Sequence, residues 1–131
     1  MSFELAFGGD PQDLTITLSG RADPAGVRRL DAALRADPRF KPGLAILVDL
    51  TELDTSGLTQ ESLPGLTELV LQRDWITQPL GVAIVAPDPA TFETAPLYRA
   101  HLGGTRARRR VFADATAAAA WLREQRDAAG T

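Results

Sequence analysis

The sequence predicts a single α/β domain with five strands and about four helices in the order ββαβαβαβα. Residues 3–7 and 14–18 alternate apolar and polar side chains around a loop of turn formers, which predicts a β-hairpin. Residues 44–50 and 80–86 are continuous apolar runs, which are typical of strands buried on both faces. Strands that alternate with helical patterns predict a mostly parallel mixed sheet, with only the first strand antiparallel.

The helices are predicted from their start signals and from the spacing of their apolar residues. Asp23-Pro24 has the form of an N-cap followed by proline at the first helical position, and the helix should end near Asp37. A second helix is expected to carry leucines up to about residue 73, and a third to start at Asp88-Pro89. Residues 106–112 form the predicted fifth strand, and Asp114 is expected to cap a last helix before a frayed tail at 128–131.

Length and composition exclude several classes of function. The 131 residues fit one domain, 1–131, and 44% of them are hydrophobic, as in an ordinary globular protein. The longest apolar runs are too short to span a bilayer, and no secretory signal pattern is present, so we expect a cytoplasmic protein. A net charge of −3 argues against general nucleic-acid binding. Without cysteine and with one histidine, His101, we expect neither a metal site nor a cofactor.

The strongest candidate site follows the third predicted strand. Asp49 stands near the end of this apolar run, and Asp54-Thr55-Ser56-Gly57 follows within a few residues. A buried parallel strand delivers its carboxyl end to the edge of the sheet, where α/β domains commonly place their functional residues. We therefore expect Asp49, Asp54, Thr55, Ser56 and Gly57 to form the functional loop.

The order of elements and the segment from Val48 to Leu58 resemble the STAS superfamily, to which the bacterial anti-sigma factor antagonists belong. Over nearly its full length the chain is similar to the SpoIIAA-like group, also described as STAS/SEC14-type, through segments that begin at Gly81 and Val111. The resemblance implies a SpoIIAA/STAS-like sheet with its helices. It also implies that Ser56, the serine before the glycine, is phosphorylated by a partner kinase.

Each candidate residue also has a structural interpretation. Thr55, Ser56 and their neighbours are residue types that serve as turn formers and helix caps in many strand-to-helix loops. Asp49 resembles the phospho-accepting aspartate of response-regulator receivers, but the acidic pair and the lysine of that mechanism are missing. We therefore expect Asp49 to accept hydrogen bonds from backbone N–H groups of its own loop.

Two further groups of residues suggest other roles. Trp75, Phe92, Tyr98 and Leu102 form a candidate patch for an apolar ligand, and residues such as Trp75 could equally complete the core. Arg106, Arg108, Arg109 and Arg110 form the basic cluster of the chain. The STAS-like order places this strand at the sheet edge, where we expect the charges to be solvated and to discourage pairing with other sheets.

These observations favour a small non-enzymatic regulatory or protein-interaction domain of STAS type, switched by phosphorylation at Ser56. The alternative is a binder of a small apolar or lipid ligand, as the SEC14 part of the resemblance implies. An enzyme that uses Asp49 or Asp54 is the third hypothesis, although two carboxylates alone define no reaction. A protein partner, either a regulator or a kinase, is expected, as is self-association into a homodimer.

Overall fold

The computed structural model describes residues 1–21, 23–54, 80–86 and 109–129, and these ranges contain five strands and two helices. The elements are β1 (Ser2–Phe7), β2 (Leu14–Arg21), α1 (Pro24–Ala36), β3 (Ala45–Asp54), β4 (Gly81–Val85), β5 (Arg109–Phe112) and α2 (Ala115–Ala129). The predicted second and third helices fall within residues 55–79 and 87–108, outside the described residues.

The five strands form one mixed sheet in the order β1-β2-β3-β4-β5. β1 pairs with β2 antiparallel, and every later neighbouring pair is parallel. The predicted hairpin and the mostly parallel sheet are thus confirmed. β3 is the central strand, and β5 lies at one edge, as the resemblance to the STAS superfamily implied.

Local signals explain where the hairpin turns and where α1 begins. Gly8 has φ +91°, a backbone conformation that favours glycine, and its N–H donates to the Asp13 carbonyl at 2.8 Å. Asp23 is the N-cap of α1, and its carboxylate accepts a 2.5 Å hydrogen bond from the Gly26 N–H. α1 ends at Ala36, one residue before Asp37, because the residue before Pro38 avoids helical geometry.

Each helix packs on a different face of the sheet. Leu30 and Leu34 of α1 join a cluster with alternate residues of β2, β3 and β4, and Phe3, Leu5 and Phe7 pack against its margin. Ala118 and Leu122 of α2 join a second cluster with the residues of β3 and β4 that point to the opposite face: Ala45, Leu47, Ala83 and Val85. β3 and β4 are therefore covered on both faces, which explains their continuous apolar sequences.

Two predicted boundaries were wrong. The third strand was predicted over residues 44–50, but β3 continues to Asp54, so Asp49 lies inside the strand. The tail was predicted to fray from residue 128, but α2 continues through Ala129, in keeping with the high helix propensity of alanine. No helix among the described residues has the length and apolar character needed to cross a membrane.

Two half-buried aspartates give the fold a predictable acid dependence. The Gly26 N–H holds the pKa of Asp23 below its ordinary value of 3.8, and the Arg39 guanidinium does the same to the pKa of Asp37. Because these pKa values are lower in the folded chain, both groups stabilise the fold fully above about pH 4. That contribution is lost as the pH falls through the folded pKa values.

We therefore expect the double variant Asp23→Asn/Asp37→Asn to lose less stability than the wild type between pH 5 and pH 2, because it lacks the two carboxylates whose pKa values are lowered by folding. Asparagine retains an oxygen acceptor at both positions and does not titrate. Thermal unfolding followed by circular dichroism at several pH values measures the difference. An equal fall in stability with pH in the two proteins would contradict the lowered pKa values of Asp23 and Asp37.

Candidate functional site at the carboxyl ends of the parallel strands

The parallel strands β2 to β5 deliver their carboxyl ends to one edge of the sheet. At this edge Arg21 is the register partner of Asp54, and the Ala86 N–H donates to the Phe112 carbonyl at 3.0 Å. Glu52 and Asp54 are exposed, whereas Ala86 is buried. The described part of the edge is therefore polar at β2 and β3 and apolar at the end of β4.

A β-bulge shapes β3 just before this edge. Thr17 is the register partner of Asp49, but Ser19 is the partner of Glu52, so Leu18 lies opposite two residues, Leu50 and Thr51. The additional residue shifts the alternation of side chains in β3. As a result, Leu50 and Leu53 both contact the core on the α1 face although two polar residues separate them.

The Asp49 carboxylate stabilises this bulge through hydrogen bonds. Its Oδ1 accepts hydrogen bonds from the Thr51 N–H at 2.9 Å and from the Thr51 hydroxyl at 2.7 Å. A bulge removes a backbone N–H from the regular ladder, and a carboxylate two residues earlier is well placed to accept from it. Asp49 thus accepts a hydrogen bond from a backbone N–H group, as predicted, but it does so within a strand and not in a loop.

Replacing Asp49 with alanine should therefore destabilise the fold by about 1 kcal/mol, because the Thr51 N–H loses its acceptor at a partly exposed position. Asp49→Asn retains an oxygen acceptor and should cost less than half as much. Urea unfolding of both variants measures the two losses. Equal losses would show that the negative charge, and not the acceptor, matters.

Asp54 ends β3 opposite Arg21 and forms an interaction within the folded chain. Within the described ranges no cluster of three or more His, Asp or Glu side chains is arranged to hold a metal ion. The acidic groups nearest this edge, Asp49, Glu52 and Asp54, all lie on β3.

Most of the predicted functional loop and of the predicted ligand patch fall on residues that the structure does not describe. Asp49 and Asp54 are described, but Thr55, Ser56 and Gly57 lie in the range 55–79, as does Trp75. Phe92, Tyr98 and Leu102 lie in the range 87–108, together with Arg106 and Arg108. Their predicted roles therefore remain predictions.

A polar cluster at the opposite end of the sheet was not anticipated. The Asp13 carboxylate accepts from the buried Ala45 N–H at 2.9 Å and forms an ion pair with Arg126 of α2. Arg126 also donates to the Pro11 carbonyl. We call Asp13, Ala45 and Arg126 the polar anchor. The sequence presents Asp13 only as a turn former, because Arg126 lies 113 residues further along the chain.

Sheet order, strand directions and the placement of a helix on each face define a SpoIIAA-like fold. The chain is similar to an uncharacterized protein of the DUF3478 family with a SpoIIAA-like fold from Shewanella loihica PV-4. The two share 21% identity over 92% of each chain, with a TM-score of 0.61. No protein-family model and no curated protein sequence matches the chain. The structural similarity confirms the predicted SpoIIAA-like fold with its five-stranded sheet, whereas the described residues contain two helices and not the predicted four or so.

Proposed function

We propose that this protein is a small non-enzymatic interaction domain of STAS type and that phosphorylation of Ser56 regulates its binding to a protein partner. The observation that supports the proposal most directly is the position of Asp54. This exposed residue ends the central strand at the carboxyl edge of the sheet, two residues before Ser56. Two residues of chain extend at most about 7 Å, so a phosphate on Ser56 would remain near this edge.

Charge provides the regulatory mechanism. A phosphate adds about −1.5 to −2 charges near neutral pH. At this edge it would join the exposed carboxylates of Glu52 and Asp54, while Arg21 supplies a nearby positive charge. The edge would become strongly negative, which favours a basic partner surface and repels an acidic one.

The contacts of Asp49 support a binding role over an enzymatic one. A catalytic carboxylate must be available to substrate, but Oδ1 of Asp49 is already engaged by both donors of Thr51. The carboxylate therefore stabilises the shape of β3 at the edge that a partner would contact. A rigid edge with an adjacent modifiable serine suits an interaction domain.

Phosphopeptide mapping of the protein purified from its native host tests the proposal. We expect one phosphate on the peptide that contains Ser56, its loss in Ser56→Ala, and its retention in the matched control Thr55→Ala. Repeated recovery of this peptide in unmodified form only, with full coverage, would contradict regulation at Ser56.

Native mass spectrometry of the same preparation separates the proposal from the ligand-binding alternative. A mass increase of one phosphate is expected for the regulated interaction domain. A co-purifying apolar molecule, released when the protein is denatured, would instead favour a carrier of small apolar or lipid ligands. Partner binding compared between the phosphorylated and unphosphorylated forms then tests the regulation directly.

A further inference from the structure

The outer edge of β1 differs from the opposite edge of the sheet. β1 pairs with β2 over six consecutive residues without a register shift, and in the described ranges no strand pairs with its other side. The segment Ser2–Phe7 contains neither glycine nor proline, and its one charged residue is Glu4. β5, at the other edge, has four residues, two of which are arginines. β5 therefore carries a higher density than β1 of the charges that usually prevent sheet edges from pairing.

The hydrogen-bond pattern of the hairpin identifies the backbone groups that point outward from β1. The Gly8 N–H donates to the Asp13 carbonyl, and this bond places the two residues at a hydrogen-bonded position of the ladder, although the Asp13 N–H donates to Ala45. Hydrogen-bonded and non-hydrogen-bonded pairs alternate along an antiparallel ladder. Ala6, Glu4 and Ser2 therefore bond to β2, and the N–H and C=O groups of Phe3, Leu5 and Phe7 point outward, away from β2.

The side chains of β1 separate by face. Phe3, Leu5 and Phe7 are half-buried against the core on the α1 face, and the Arg39 guanidinium lies 4.2 Å from the Phe7 ring centroid. Ser2, Glu4 and Ala6 are exposed on the other face. Phe3, Leu5 and Phe7 thus supply both the outward-pointing backbone groups and a row of incompletely buried apolar side chains.

We propose that β1 pairs antiparallel with β1 of a second copy of this chain, with the two-fold axis passing Leu5. In this register Leu5 faces Leu5 of the partner subunit, and Phe3 faces Phe7 of the partner subunit. All three outward-pointing residues then exchange backbone hydrogen bonds, and the apolar row continues from one copy into the other. The product is a continuous sheet across the dimer.

Repulsion between like charges favours the register with its axis at Leu5 over the register with its axis at Glu4. With the axis at Leu5, Glu4 lies opposite Ala6 of the partner subunit, and no like charges meet. With the axis at Glu4, the two Glu4 carboxylates would lie directly opposite each other, which is unfavourable in a sheet. The sequence of β1 is therefore compatible with self-pairing around Leu5.

Charge substitutions at Ala6 test the pairing. Within its own hairpin Ala6 faces the neutral Thr15, so either charge should leave the fold intact, as circular dichroism would verify. We expect sedimentation equilibrium to show a monomer–dimer equilibrium for the wild type. Ala6→Glu should weaken it roughly three- to tenfold, because two symmetric like-charge pairs form, whereas Ala6→Lys should strengthen it by a similar factor. The charge swap Glu4→Lys/Ala6→Glu should restore dimerisation.

Disulfide formation tests the register, because the chain contains no native cysteine. Glu4 and Ala6 of the partner subunit would form a non-hydrogen-bonded pair, with Cα atoms about 4.5 Å apart, within the range of a disulfide. Oxidised Glu4→Cys/Ala6→Cys should therefore run as a covalent dimer on a non-reducing gel. The single variants are matched controls and should remain mostly monomeric.

Three results would overturn the proposal. Efficient dimers of Glu4→Cys alone would refute the register centred on Leu5. A monomeric wild type at millimolar concentration, with no covalent dimer of the double variant, would refute the self-association. Amide protection of Leu5 that is independent of protein concentration would show that another segment of the same chain covers β1.

Discussion

Leu122→Ala is expected to destabilise the protein by about 2–5 kcal/mol. Leu122 is fully buried in α2 and packs on the small residues Ala45 and Ala83 of the two central strands. Its truncation leaves a cavity that those short side chains cannot fill. Urea unfolding followed by circular dichroism measures the loss as a lower midpoint.

Leu53→Ala is the matched control, because it removes the same atoms from a half-buried residue at the margin of the other core cluster. We expect it to cost about 1 kcal/mol. A similar loss in both variants would mean that α2 contributes no more to the core than the end of β3 does.

Asp13→Ala should have the second-largest effect, a loss of about 1.5–3 kcal/mol. The substitution removes the acceptor of the buried Ala45 N–H and the ion-pair partner of Arg126 in one step. Asp13→Asn retains an oxygen for Ala45 and loses the charge, so its loss should be intermediate. Chemical denaturation of the wild type and the two variants under the same conditions measures the order of their stabilities.

Asp10→Ala provides the control for charge alone. Asp10 forms an ion pair with Arg123 of α2 at 3.2 Å, but the two side chains are 74% and 56% exposed. Exposed pairs of this kind contribute about 0–1 kcal/mol. If Asp10→Ala destabilised the protein as much as Asp13→Ala, the buried hydrogen bond to Ala45 would not be the cause.

Local patterns were sufficient to predict most of the fold. The hairpin, the Asp23 N-cap, the buried strand β4 and the Asp114 cap of α2 all depend on residues a few positions apart. Alternation and capping act over this range, so the sequence displays them directly. The apolar face of α2 also depends on local spacing, because Ala118 and Leu122 are one helical turn apart.

The candidate site was harder to predict, for two physical reasons. The bulge in β3 places Leu50 and Leu53 on one face, and this breaks the period-two pattern by which a strand is recognised. The strand was therefore predicted to end too early, and Asp49 was placed at its end. The partners of Asp13 depend on tertiary folding, which no local pattern encodes.

The polar anchor has a consequence for how the protein is made on the ribosome. Synthesis proceeds from the amino terminus, so the ion pair of Asp13 cannot form until Arg126, 113 residues later, has been synthesised. The hairpin and the hydrogen bond between Asp13 and Ala45 can form early, but the loop gains its ion pair with Arg126 only when α2 emerges. Folding intermediates of the nascent chain should therefore leave this loop more accessible to proteases until α2 has emerged from the ribosome.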